Sequence, residues 1–267
     1  MSDSLDLVYR SIEERHADRS ALTRRRLVAG AAASLGGMGL LGSAGVAQAS
    51  HSAPKGANSP QTILNIAATA EVLATIVNTV GFERVDLDDA VTRRNVRAAA
   101  REELLHYRQL VEFGGRPLTK RIWVPDAVFA SRTGLLSTLE VGDQIFVNAY
   151  LVATKTFGNA GNGNLAVIAA EFMGVEAVHR ALARQSLGKL GNDRVYMKYD
   201  QREQAPGAPN RGQAGFEDIT EAATQLQKAG FGFGAKGASP GQFYDFDSVS
   251  RRTPNDPDLN TFQPDPD

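Results

Sequence analysis

Two segments of the chain carry the same short pattern, a glutamate followed three residues later by a histidine. They are Glu103-Leu104-Leu105-His106 and Glu176-Ala177-Val178-His179. Residues i and i+3 share one face of a helix, so each pair can present a carboxylate and an imidazole to one metal ion. The spacing alone carries little weight, because Glu13-Glu14-Arg15-His16 fits it as well. The weight comes from a repeat. Glu71 stands 32 residues before Glu103, and Asp143 stands 33 before Glu176. The chain thus holds, twice over, a segment with a carboxylate and then a segment with Glu-x-x-His. Glu71, Glu103, His106, Asp143, Glu176 and His179 form the candidate ligand set. Four carboxylates and two neutral imidazoles balance two divalent ions, and hard oxygen donors suit iron or manganese better than copper. Left without metal, four clustered carboxylates would repel one another and take up protons. The competing reading is a polar core held by interhelical hydrogen bonds.

Four helices are expected to position these groups. The first, 61–80 and ending at Gly81, is apolar nearly all round, with Glu71 as its only charge. Such a helix belongs in the interior. The second, 88–113, stops at Gly114-Gly115 and Pro117 and sets Val96, Ala99, Glu103, His106 and Leu110 on one face. The third, 134–157, does the same with Leu136, Leu139, Asp143, Phe146, Val147 and Tyr150. The fourth, 165–187, aligns Leu165, Ala169, Phe172, Glu176, His179 and Ala183. A long connection through Ile122, Trp123 and Val124 links the second to the third, long enough for a crossover. The pattern points to an all-α four-helix bundle over 61–188. Residues 50–60 form a linker. Residues 189–267 are expected to be an irregular extension with one short helix at 216–229, a docking turn at Phe231-Gly232-Phe233-Gly234 and a disordered end from Asn255.

Composition narrows the function classes. The 267 residues are 42% apolar and 22% charged, with net charge −1, too apolar for a wholly disordered chain. Nothing basic argues for nucleic acid as a partner. The absence of cysteine excludes disulfides, Fe–S clusters, cysteine zinc sites and a thiol nucleophile. Of the four histidines, His16 and His51 lie outside the helical region.

The first 49 residues look like an address. Arg24-Arg25-Arg26 precede an uncharged stretch rich in Ala, Gly and Leu, which ends at Ala47-Gln48-Ala49, a small-x-small cleavage pattern. This resembles the twin-arginine (Tat) export signal, which engages the Tat machinery and carries folded proteins, often with a cofactor already inserted. It implies export to the periplasm, the cell envelope or the extracellular space. Cleavage after Ala49 leaves 218 residues and no stable membrane span.

The segments 64–71, 103–110 and 175–179 together resemble the ferritin-like domain, in particular its exported bacterial branch related to plant desiccation-related proteins. The resemblance covers about half the chain. It implies an up-down-down-up bundle with a di-iron or di-manganese centre, and Glu71, Glu103, His106, Glu176 and His179 match its ligand positions. The third helix departs from the pattern. The family carries Glu seven residues before the Tyr of an Ala-Tyr pair; here the pair is Ala149-Tyr150, and that position is Asp143. Glu140 is the competing ligand, although the 32/33 repeat favours Asp143. Tyr150 is expected to pack in the core, with a redox or hydrogen-bonding role as the alternative. Glu102 and Glu171 are expected to face solvent. Two functions follow as expectations. One is an exported di-metal protein with O₂ or peroxide redox chemistry. The other is a non-catalytic, desiccation- or stress-related envelope protein with a structural or vestigial metal site. A homo-oligomer fits either, whereas a ferritin-type storage shell fits the long extension poorly.

Overall fold

The computed structural model describes residues 58–191 and 215–256. The proposed export signal at 1–49, His51 with most of the linker, and the end from 257 lie outside the described residues. Among the described residues the fold is mostly helical, with a three-stranded sheet that corrects the all-α expectation.

Four long helices dominate: α1 (Pro60–Arg84), α2 (Ala90–Glu112), α3 (Arg132–Asn159) and α4 (Gly163–Ser186). Each starts where a polar side chain satisfies a free backbone N–H. Ser59 accepts from Thr62 N, Asp89 from Thr92 N, Ser131 from Gly134 N and Asn162 from Leu165 N. Pro60 occupies the first turn of α1, where its missing N–H costs nothing. After α2, Gly114 turns left-handed (φ 92°), and Gly115 N donates to Leu110 O at 2.8 Å. After α4, Gly188 plays the same part (φ 74°). Gly81, in contrast, does not end α1. Leu135 packs so closely there that a Cβ would sit 2.7 Å from its methyl groups, so the glycine serves packing rather than termination.

Contacts at the helix ends give the directions. The start of α1 meets the end of α2, where Gln61 Nε2 donates to Gly114 O and Arg116 N to Asn65 Oδ1. The start of α2 meets the end of α4 through Thr92 and Ser186, whose hydroxyls lie 2.8 Å apart. The start of α3 joins the same end of the molecule, because Arg132 donates to Leu87 O and to Ser186 O. So α1 and α4 run one way, and α2 and α3 the other. α1 packs on α2, α3 packs on α4, and the two pairs meet through α1–α3 and α2–α4.

Residues 215–256 of the extension hold more regular structure than expected. α5 (Thr220–Lys228) packs on α3 and α1. The connection between α2 and α3 forms β1 (Arg121–Pro125) and a 3₁₀ turn (Asp126–Phe129). β1 is the centre of the sheet, flanked on both sides by antiparallel strands from the extension, β2 (Gly232–Phe233) and β3 (Gly241–Asp245). Ile122 pairs with Phe233 on one side and with Tyr244 on the other. The expected docking turn is therefore a strand, closed by Gly234 N donating to Arg121 O. α6 (Phe246–Ser250) then lies on α1, and Thr79 and Thr253 share a buried hydrogen bond of 2.9 Å. This cover explains why α1 is apolar nearly all round: helices take one side of it and the extension takes the other. α1 is long and apolar enough to cross a membrane, and most of its apolar stretch is buried inside the fold.

Candidate metal centre

The repeated carboxylates and histidines meet in the interior. Glu71 on α1, Glu103 and His106 on α2, Asp143 on α3, and Glu176 and His179 on α4 are all buried. The expected faces explain how. Every residue assigned to the shared faces of α2, α3 and α4 is buried, so the apolar stripe that folds each helix inward carries its ligands with it.

The six side chains form two overlapping groups. Glu71, Glu103, His106 and Glu176 bring one ligand atom each within 4.8 Å of one another, and so do Glu103, Asp143, Glu176 and His179. Glu103 and Glu176 belong to both groups. The arrangement thus offers two positions, each with its own terminal carboxylate and imidazole, and two carboxylates shared between them. Asp143 reaches its group despite being one methylene shorter than Glu. Glu140 points elsewhere: it binds Arg184 Nη1 and Lys189 Nζ, each at 2.5 Å. Glu171 is exposed, as expected.

The chemistry of the donor set fits a cation. Buried oxygens and nitrogens normally find hydrogen-bond partners. Here Glu71 Oε2, both oxygens of Glu103, both of Glu176, Asp143 Oδ2, and Nδ1 of His106 and His179 have none. His106 Nδ1 lies 3.4 Å from Glu176 and 3.5 Å from Glu103, and His179 Nδ1 lies 3.0 Å from Glu103. These are ion-pair distances without the alignment of a hydrogen bond. The donor atoms surround common points rather than satisfying one another.

The electrostatics agree. Burial, and then the charge of Glu103, raises the Glu71 carboxyl well above the usual carboxylate range. Burial, and then Glu176, does the same to Asp143. For both imidazoles burial works towards neutrality, but the surrounding carboxylates outweigh it and hold the rings protonated well above the ordinary histidine range. Burial also opposes ionisation of Glu103, yet the two histidines prevail and keep it lowered. Without a cation, protons hold the cluster together. Metal ions would replace them.

Two neighbours complete the cluster, and one of them corrects the sequence expectation. Tyr150 packs in the core as expected and also takes the alternative role, donating its hydroxyl to Glu71 Oε1. Burial and the adjacent Glu71 charge push its phenol well above the ordinary tyrosine range, so it stays a donor. Glu102, expected to face solvent, holds His179 Nε2 at 2.6 Å. That leaves Nδ1 facing the cluster, the usual way in which a carboxylate orients a ligating imidazole. The place of Glu102 next to Glu103 aims it at the α2–α4 seam, so it meets the histidine of the neighbouring helix rather than His106 on its own. Phe172 completes the setting. It stacks on His106 with centroids 4.0 Å apart and takes Tyr150 edge-on at 5.5 Å, fixing both rings.

Compared with family models, with curated proteins and with solved structures, the chain matches none.

Proposed function

We propose that this chain is an exported ferritin-like protein whose four long helices form an up-down-down-up bundle around a di-iron or di-manganese centre. The directions of the helix ends and the long α2–α3 connection support the bundle. The observation that carries the metal is the pair of overlapping four-residue groups, with Glu103 and Glu176 in both and eight unpartnered donor atoms among them. Glu71 and His106 would hold one ion, Asp143 and His179 the other, with Glu103 and Glu176 between. Such a pair supplies redox chemistry towards O₂ or peroxide. The residues around it do the rest. Tyr150 fixes Glu71, Glu102 fixes His179, and Phe172 stacks on His106. The test is metal analysis of protein purified from its native host, with Glu103→Ala and His179→Ala alongside. Near two Fe or Mn per chain, lost together with stability in the variants, supports the reading; traces of metal and unchanged variants overturn it.

A second reading, a stress-related envelope protein with a structural metal, is favoured by the burial of Glu71, Glu103 and Glu176, each 0% exposed. Adding peroxide or O₂ to the metal-loaded protein separates the two. A change in the optical spectrum supports redox chemistry, and an unchanged spectrum supports the structural role.

A further inference from the structure

A narrow cavity of about 20 Å³ enters the seam between α2 and α4. That is room for about one water molecule. Asp143 and His179, both buried and both in the ligand cluster, line its inner end. Asn95, Leu182 and Ser186, all half-buried, line its outer end, so the cavity joins the surface to the cluster. The rim is polar. Thr92 and Ser186 hold their hydroxyls 2.8 Å apart across the seam, and Asn95 adds an amide one helical turn along α2. Deeper in, Ala99 and Ala183 form the walls, and their small side chains leave a space that larger ones would fill. Neither Glu71 nor His106 lines this cavity. A second cavity, of about 570 Å³ between α1, α3 and the 3₁₀ turn, also reaches Asp143 but not His179, and Leu73, Val77, Phe146 and Phe231 give it apolar walls. A hydrated divalent ion passes apolar walls at high cost, whereas hydroxyl and amide oxygens can stand in for part of its water.

We propose that the α2–α4 opening, rimmed by Thr92, Asn95 and Ser186, is the entrance through which divalent metal ions reach the cluster, and that the Asp143–His179 position therefore fills before the Glu71–His106 position. The proposal rests on the di-metal reading and adds to it a route and an order. Glu103 and Glu176 belong to both ligand groups, so they are the groups across which an ion is handed from the first position to the second.

Rapid-mixing uptake of Mn²⁺ by the metal-free full chain, with equilibrium chelator competition alongside, tests the proposal. Asn95 lies outside both ligand groups and on the half-buried rim. Asn95→Trp is expected to fold, to keep the parent's equilibrium affinity, and to load at least about tenfold more slowly, equivalent to ~1.4 kcal/mol on the barrier. Both positions should slow together, because the second fills through the first. Leu182→Ala widens the same rim and should load faster, again at unchanged affinity. Gly142 supplies the control. It lines the wider apolar cavity, and a Cβ there meets nothing within 4 Å, so Gly142→Leu should fold, narrow that cavity and load at the parent's rate. Parental loading by folded Asn95→Trp, slowing of only the Glu71–His106 position, or slow loading by Gly142→Leu in place of Asn95→Trp overturns the proposal. A parent chain that takes up neither Mn nor Fe sinks the di-metal reading and the route with it. A parent and a folded Asn95→Trp that load alike sink the route alone.

Discussion

The shared carboxylates make a stoichiometric prediction that a single metal site or a polar core would not. Glu103 and Glu176 belong to both four-residue groups, whereas Asp143 belongs only to the one with His179. Asp143→Asn should therefore leave one tight metal and weaken the other, while Glu176→Gln should weaken both. The size follows from ligand number. Structural zinc bound by four protein ligands is worth about 10–16 kcal/mol, or roughly 3 kcal/mol per ligand, which corresponds to about a hundredfold in affinity. Competition with a chelator of known affinity, followed by metal counting, resolves a shift of that size. The metal-free stabilities sharpen the test. Burial and Glu176 already drive Asp143 towards its protonated form, so Asp143→Asn should leave metal-free protein as stable as the parent, or more so. Equal loss of metal in the two variants, or full loading of both, would refute the shared-ligand geometry.

Further predictions follow from individual contacts. In metal-free protein Glu71, Asp143, His106 and His179 all have raised folded-state values, so each favours the fold while protonated and this contribution is lost as pH rises. Above the ordinary carboxylate range the lowered Glu103 adds a constant amount. Metal-free stability should therefore fall from pH 5 to pH 8, while metal affinity rises because fewer protons must be displaced. The metal-induced shift in melting temperature should widen over that window; a shift independent of pH would contradict the cluster. Tyr150→Phe removes a donor from a buried carboxylate and should cost about 1–3 kcal/mol in urea unfolding of the metal-free protein. An unchanged midpoint would show that Glu71 does not depend on it. Glu102→Ala frees His179 Nε2 and should weaken the Asp143-side metal by roughly 10–100-fold while sparing the other, read in the same chelator competition. Gly115→Ala would place a Cβ 2.8 Å from Leu110 O and 2.9 Å from Leu64 O, both backbone atoms. It should destabilise the chain by about 1–3 kcal/mol in thermal unfolding, and no loss would mean the α1–α2 seam is loose.

The parts of the architecture that were legible in the sequence are those set by local periodicity. The stripes of α2, α3 and α4 bury every residue assigned to them, since one helical face must supply both the core and the ligands. The spacing of 32 and 33 residues picked Asp143 over Glu140, and the ion pairs of Glu140 with Arg184 and Lys189 supply the physical reason. What stayed hidden depends on distant partners. β1 is five residues long, and its neighbours lie more than a hundred residues further on, so no local period announces it. Gly81 looked like a helix stop because composition does not show that Leu135 needs its missing side chain. The role of Glu102, and the choice between packing and hydrogen bonding for Tyr150, stay hidden for a related reason. Each acts on another helix, Glu102 on His179 and Tyr150 on Glu71, and a helical wheel describes only its own.

Anomalous scattering at the Fe and Mn edges, from crystals of protein purified from its native host, tests the central claim most directly. Two metal peaks are expected, one beside Glu71 and His106 and one beside Asp143 and His179, with Glu103 and Glu176 touching both. A cluster without anomalous signal, or a lone metal that leaves Asp143 and His179 unligated, would contradict it.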